Sequence, residues 1–196
     1  MTQELSRVKP KPVERNAGPF ARLQAQALDL LVVAGWLGFA GAVGVVARAT
    51  GFEFDSAVRN DIFAFTTLVA PVVATFAWQE ASGHQATFGK RRVGLRVTDL
   101  AGERLNIGRA LGRSAAKFLP WQIAHTAVFG LIADSASTGF IVLAITAQGL
   151  VVASVIAMAI DPRHRAFHDW AAGTRVTATI SEGSRFDYSR KEGTLP

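Results

Sequence analysis

The chain contains no cysteine, which excludes disulfides, thiolate metal sites and a cysteine nucleophile, and leaves its redox compartment unmarked. It also lacks the short signatures of soluble enzymes: there is no Walker loop, no GxGxxG, no GxSxG and no HExxH. Charge is missing in blocks. Leu30 to Ala47, Ile62 to Trp78 and Ser135 to Ile160 carry no Asp, Glu, Lys or Arg, although 18% of the 196 residues are charged. At 49% apolar residues the average composition is that of a soluble protein. Segregation, not the average, points to a membrane.

The run Leu30 to Ala47 has no polar side chain, so a helix built from it is apolar on every side. At about 1.5 Å per residue it reaches about 27 Å, close to a hydrocarbon core of about 30 Å. This predicts a first spanning helix over about 21–47. The run exceeds the roughly 7 to 15 residues of a signal-peptide core, so it reads as an uncleaved anchor. Residues 62–78 predict a second span, with Pro71 inside it freeing the Thr67 carbonyl and producing a kink. Residues 140–160 predict the clearest span. Residues 118–133, with Pro120 and His125, predict another, in competition with a re-entrant or interfacial segment.

Lys and Arg divide unevenly among the connections. Nineteen of the 21 fall before the first span, in the loop after the second, or after the last, and only Arg48 and Arg59 lie elsewhere. The positive-inside rule then places both termini and the long loop in the cytoplasm, in agreement with four spans. The same placement accounts for the pI of about 10.5 through attraction to anionic headgroups. It removes the motive for a nucleic-acid partner.

On the cytoplasmic side, 93–105 alternates through a turn at Gly102 and predicts a small β-hairpin, with Thr174 to Ile180 as a further strand and a three-stranded sheet as the sum. Asn106 predicts the cap of an interfacial helix over 107–117, with Arg109, Arg113 and Lys117 at i, i+4 and i+8 facing anionic lipid or a partner. The leader 1–18 and the tail 181–196 are polar and read as disordered. The expected architecture is an all-α membrane protein of four transmembrane helices, N-in/C-in, with a domain over 19–180.

Asp29 is the most informative ionisable residue. It follows Arg22 by seven positions, on the same helix face about 10 Å further along, with Gln26 between them. A carboxylate at that depth costs about 2.5 to 3.5 kcal/mol and should face a partner or be protonated. With Arg22 as its electrostatic partner it forms an elementary proton-coupled device; the alternative is a lock between helices. Asp169 is expected to hold the turn through Ala171, Ala172, Gly173 and Thr174 and to pair with a basic residue. His164 and His168, at i, i+4, are weak metal candidates. His125 reads as an interhelical hydrogen bond or a proton relay. Gly35, Gly38, Gly41 and Gly44, at i, i+3 spacing in lipid, favour close helix packing.

Taken in order, these pieces resemble the RDD family of bacterial membrane proteins. The resemblance rests on Phe20-Ala21-Arg22 leading to Leu28-Asp29, on Thr87 to Val97, on Arg109 to Arg113, and on His168-Asp169-Trp170-Ala171-Ala172-Gly173-Thr174. Ala27 departs from the bulkier apolar residue expected there. The resemblance implies that the family's eponymous arginine and two aspartates are Arg22, Asp29 and Asp169. It implies transport of unidentified ligands, including cation/proton exchange. The expectation is a multi-pass inner-membrane protein, homo-oligomeric, without cofactor or enzymatic chemistry. It serves proton-linked transport of a small ion or solute, or an accessory role in transport. The alternative is a non-catalytic adaptor that docks a partner on its basic face.

Overall fold

The computed structural model describes residues 14–179. The chain begins with β1 (Glu14–Asn16) and enters α1 (Pro19–Ala49), whose first-turn Pro19 sits where no backbone donor is needed. A continuous helix follows over 57–81: α2 (Ala57–Ala64), a π-helical turn (Phe65–Val69) and α3 (Ala70–Ala81). Then come α4 (Phe88–Arg92), β2 (Leu95–Asp99), α5 (Ile107–Ala133), α6 (Thr138–Ile160), α7 (Phe167–Ala172) and β3 (Thr174–Thr179). The distortion expected from Pro71 is present as the π turn just before it. Pro71 lies in the first turn of α3, and the hydroxyl of Thr67 donates to the Phe63 carbonyl at 2.7 Å.

Three helices are long and apolar enough to cross a membrane: Pro19–Ala49, Ala57–Ala81 and Thr138–Ile160. Helix α5 is not among them. Its second half, the expected span over 118–133, is interrupted by Pro120, Gln122, His125 and Thr126. The separate interfacial helix expected over 107–117 is a correction: that segment runs on through Pro120 as one 27-residue helix, and Asn106 caps it by accepting from the Arg109 N–H at 2.8 Å. Helix α6 packs back along α5. At the closed end of that pair a Cβ on Gly130 would lie 2.4 Å from the Phe140 ring, so the glycine sets the approach.

The sheet is three-stranded and antiparallel, in the order β1-β3-β2. The expected hairpin over 93–105 is also corrected. Asp99 accepts from the backbone of Ala101 and Glu103 and closes the turn, but β2 pairs with β3, from Leu95 opposite Ala178 to Asp99 opposite Thr174. Leu95, Val97 and Val176 thereby enter one core with Ala25, Ala77, Leu105 and Ala110. Beyond the turn only one ladder bond returns, the Asp99 N–H donating to the Glu103 carbonyl at 3.0 Å, and Leu105 packs inward. Strand β1 falls within the leader read as disordered; residues 1–13 and 181–196 lie outside the described residues, as does Ile180. The sheet ties the segments preceding α1, following α4 and following α7 to one end of the helical bundle.

A second core fills the bundle above the sheet, with Leu68, Val72, Phe76 and Phe118 buried against Ala40. Phe76 and Phe118 meet edge to face at 5.1 Å. Among the described residues a Cβ added at Gly35, Gly38 or Gly41 would meet nothing within 4 Å, whereas one at Gly44 would lie 3.8 Å from the Phe63 ring.

Candidate functional site

Between the sheet and the apolar bundle lies a ladder of alternating charges. Asp169, on the one-turn helix α7, is wholly buried and accepts from the Arg22 guanidinium of α1 and from Arg113 of α5 at 2.6 Å and 3.1 Å. Its other local duty is to accept the Ala166 N–H at 3.0 Å, which starts α7. Gly173, at φ 61°, ends that helix in the left-handed region and turns the chain into β3. Arg113, 1% exposed, turns its other nitrogen to both oxygens of Glu80 at 2.5 Å. Glu80, on α3, also takes the Lys90 ammonium from α4. The order is therefore Arg22, Asp169, Arg113, Glu80, Lys90, five side chains from five helices. A guanidinium fork suits the middle position because it reaches two carboxylates at once without giving up its proton.

Asp29 is 1% exposed and stands beside this ladder on separate donors. The Thr87 hydroxyl and the Gly89 N–H each donate to it at 2.7 Å. The expected pairing of Asp29 with Arg22 is thus a correction. Two turns of rise separate side chains that are bound by different elements, and Arg22 turns to Asp169 and the His164 carbonyl instead. The approach of α4 to α1 depends on glycine: a Cβ on Gly89 would lie 2.0 Å from the Ala25 carbonyl oxygen and 2.9 Å from Asp29 Oδ1. The carboxylate thus replaces the missing partners of a short helix's first turn.

Burial works to raise the Asp169 carboxyl, but Arg113 and Arg22 overcome it and hold it well below the usual carboxylate range. Burial pushes the Lys90 ammonium down, against the pull of Glu80. His168 is held neutral, well below the ordinary imidazole value, by burial above all. After α6, Asp161 receives the Arg165 side chain and is held down to about 2.

Asp29, Arg22, Lys90, Arg113 and Lys117 line one cavity of about 160 Å³, with Gln26, Ser154, Met158 and His168 along its other sides. That volume holds a few waters or a small ion. The basic stripe Arg109, Arg113, Lys117 divides. Arg109 is exposed and reaches Asp99 at 3.2 Å, Arg113 is locked in the ladder, and Lys117 turns to the cavity. Arg113 is therefore withdrawn from the headgroup-facing set: with two buried carboxylates beside it, pairing outweighs solvation. His164 lies in the loop before α7, with φ 52° and its ring towards the Met158 carbonyl, so it shares no helix with His168 and the i, i+4 metal arrangement is not formed. His125 bonds back to the Trp121 carbonyl at 3.0 Å, with its ring tilted between Trp121 and Phe129.

Sequence reasoning passed over Glu80, Lys90, Thr87, Gly89 and the contact between helices in which Asp61 accepts from Gln122 and Thr126, each at 2.9 Å. A signal for Glu80 exists: it is the one acidic residue between Asp61 and Asp99, set at the end of an apolar run. Residues 16–173 match the family model described as the RDD family. Comparison with curated proteins and with solved structures gives no match.

Proposed function

The chain belongs to the RDD family of membrane proteins, and from that premise we propose that it moves a small ion or solute across the cell inner membrane in exchange with protons. The cavity bordered by Asp29 is the proposed passage site. The observation that carries this reading is a solvent-sized space lined by six ionisable side chains at one end of apolar helices. Asp29 is the proposed proton-carrying residue, since it borders the cavity and is held there by two uncharged donors, the Thr87 hydroxyl and the Gly89 N–H. The ladder from Arg22 to Lys90 is the rigid wall.

We read the chain as four crossings with both ends of the domain inside, a reading that parity supports. Strands β2 and β3 are hydrogen-bonded, so they share a side. If α6 crosses, α5 must return the chain. The open glycine face of α1 supplies a contact for a second copy, which so small a bundle needs to enclose a path.

Flux in proteoliposomes tests the reading. An imposed cation gradient should move protons with the native chain and cease to do so with Asp29→Asn, at equal insertion. No movement in the native chain, or equal movement in the variant, overturns it. A second reading, an adaptor, is favoured by the exposed Arg91, Arg92, Arg96 and Arg109 around the sheet. It expects a specific partner that is lost when those four are neutralised and the ladder is left intact.

A further inference from the structure

The charge around the cavity does not balance. Four cations, Arg22, Lys90, Arg113 and Lys117, line it against one carboxylate, Asp29. Glu80 and Asp169 stand behind the wall and are taken by Arg22, Arg113 and Lys90, which leaves Lys117 without a carboxylate of its own. Among the described residues Lys117 makes no ion pair within 4.0 Å. Its ammonium lies above the rings of Phe76 at 4.7 Å and Phe118 at 5.3 Å, which stabilise a cation without cancelling it.

The cavity is also not closed on the bundle side. A second, apolar hollow of about 300 Å³ continues from it and shares Gln26, Lys117, Ser154, Val155 and His168 as walls. Beyond them it is lined by Phe118, Leu119, Leu150, Val151 and Phe167, along the groove between α5 and α6. Leu119, Val151 and Phe167 are each about half exposed. A compact basic site thus opens directly into an apolar trough between α5 and the membrane-length helix α6.

We propose that these joined hollows bind one anionic phospholipid, its phosphate against Lys117 and Arg22 in the charged cavity and one acyl chain in the α5–α6 groove. A free phosphate fits the charge but leaves the trough empty. A zwitterionic lipid fits the trough but brings its own ammonium to a site already overfilled with cations. An anionic headgroup of small size meets both requirements. The inference rests on reading this cavity as the working site of the protein, and it is independent of flux: lipid in this place serves a carrier and an adaptor equally.

The test is binding to the purified full-length chain, followed by native mass spectrometry and by thermal unfolding with added lipid. Phosphatidylglycerol should bind and raise the unfolding temperature. Phosphatidylcholine of the same chains and water-soluble glycerol phosphate should do neither at the same concentration. Lys117→Gln should weaken phosphatidylglycerol binding about tenfold or more, the scale of one charge-assisted hydrogen bond. Ser154→Trp, which fills the junction between the hollows and leaves every charge in place, should weaken it as well and serves if Lys117→Gln folds poorly. Equal binding of phosphatidylcholine, binding of glycerol phosphate as tight as that of the lipid, or unchanged binding in both variants each overturns the proposal. Because no gradient is involved, loss of proton movement in vesicles leaves this result standing, and the reverse holds too.

Discussion

The Arg22 guanidinium lies on the carboxylate of Asp169, 147 positions further along the chain. That contact joins the first turns of the first membrane helix to the one-turn helix that follows the last. Its neighbour Arg113 holds the same carboxylate from the opposite side. Asp169 is thus shared between two guanidinium groups, and the two do not contribute equally. Arg113 is fully enclosed and serves two acids, whereas Arg22 serves one acid and a carbonyl.

Arg113→Ala should destabilise the chain by about 3–5 kcal/mol, the cost of leaving buried charges without their partner. Both Glu80 and Asp169 lose contacts in that variant. Arg22→Ala should cost about 1.5–3 kcal/mol, because Asp169 keeps Arg113. Thermal unfolding of the two variants in one detergent orders them; a milder effect for Arg113→Ala than for Arg22→Ala contradicts the ladder.

Gly89→Ala should cost about 1–3 kcal/mol or more, since the added methyl meets the Ala25 carbonyl and has no room to move. It should also loosen Asp29 from its donors. Gly112→Ala is the matched control. Among the described residues a Cβ added there would meet nothing within 4 Å beyond its own helix, and alanine in an exposed helix gains about 0.8–1 kcal/mol over glycine. Opposite signs for the two substitutions, read from unfolding temperatures, are the expected result.

Asp29→Asn should be tolerated far better than Asp169→Asn. The Asn oxygen can still accept from the Gly89 N–H, and the Thr87 hydroxyl can reverse its role towards the new amide. The loss is about 0.5–1.5 kcal/mol, that of a typical hydrogen bond. Asp169→Asn strips the charge from between two arginines, a loss nearer 3–5 kcal/mol. Comparable stability of the two variants argues against the separation of Asp29 from the ladder.

Acid should act in two stages. His168 is held neutral in the folded chain, below its ordinary 6.5, so an unfolded chain takes up that proton first and stability starts to fall as pH drops through 6.5. Asp169 and Asp161 are held below the ordinary 3.8 in the folded chain, Asp161 at about 2. Their contribution is complete above that value and is lost as pH falls from about 4 towards 2. A pH series of unfolding temperatures should show both stages, and His168→Gln should remove only the upper one.

What the sequence determined by itself is what depends on neighbours along the chain. The three charge-free runs set the membrane helices, because burial in lipid is decided residue by residue. Asn106 set the start of α5, since capping is local. Arg22, Asp29 and Asp169 stood out because a charge beside an apolar run needs a reason wherever it lies. The tertiary structure alone decided who meets whom. Strand β2 alternates equally well as half of a hairpin, and only the arrival of β3 beside it chose the pairing. Arg113 has the spacing of a surface stripe, and only the approach of Glu80 and Asp169 from other helices drew it inside. The pairing of Arg22 with Asp169 rather than Asp29 has the same origin: electrostatic partners are selected by distance in space, and chain separation carries no information about that distance until the helices are packed.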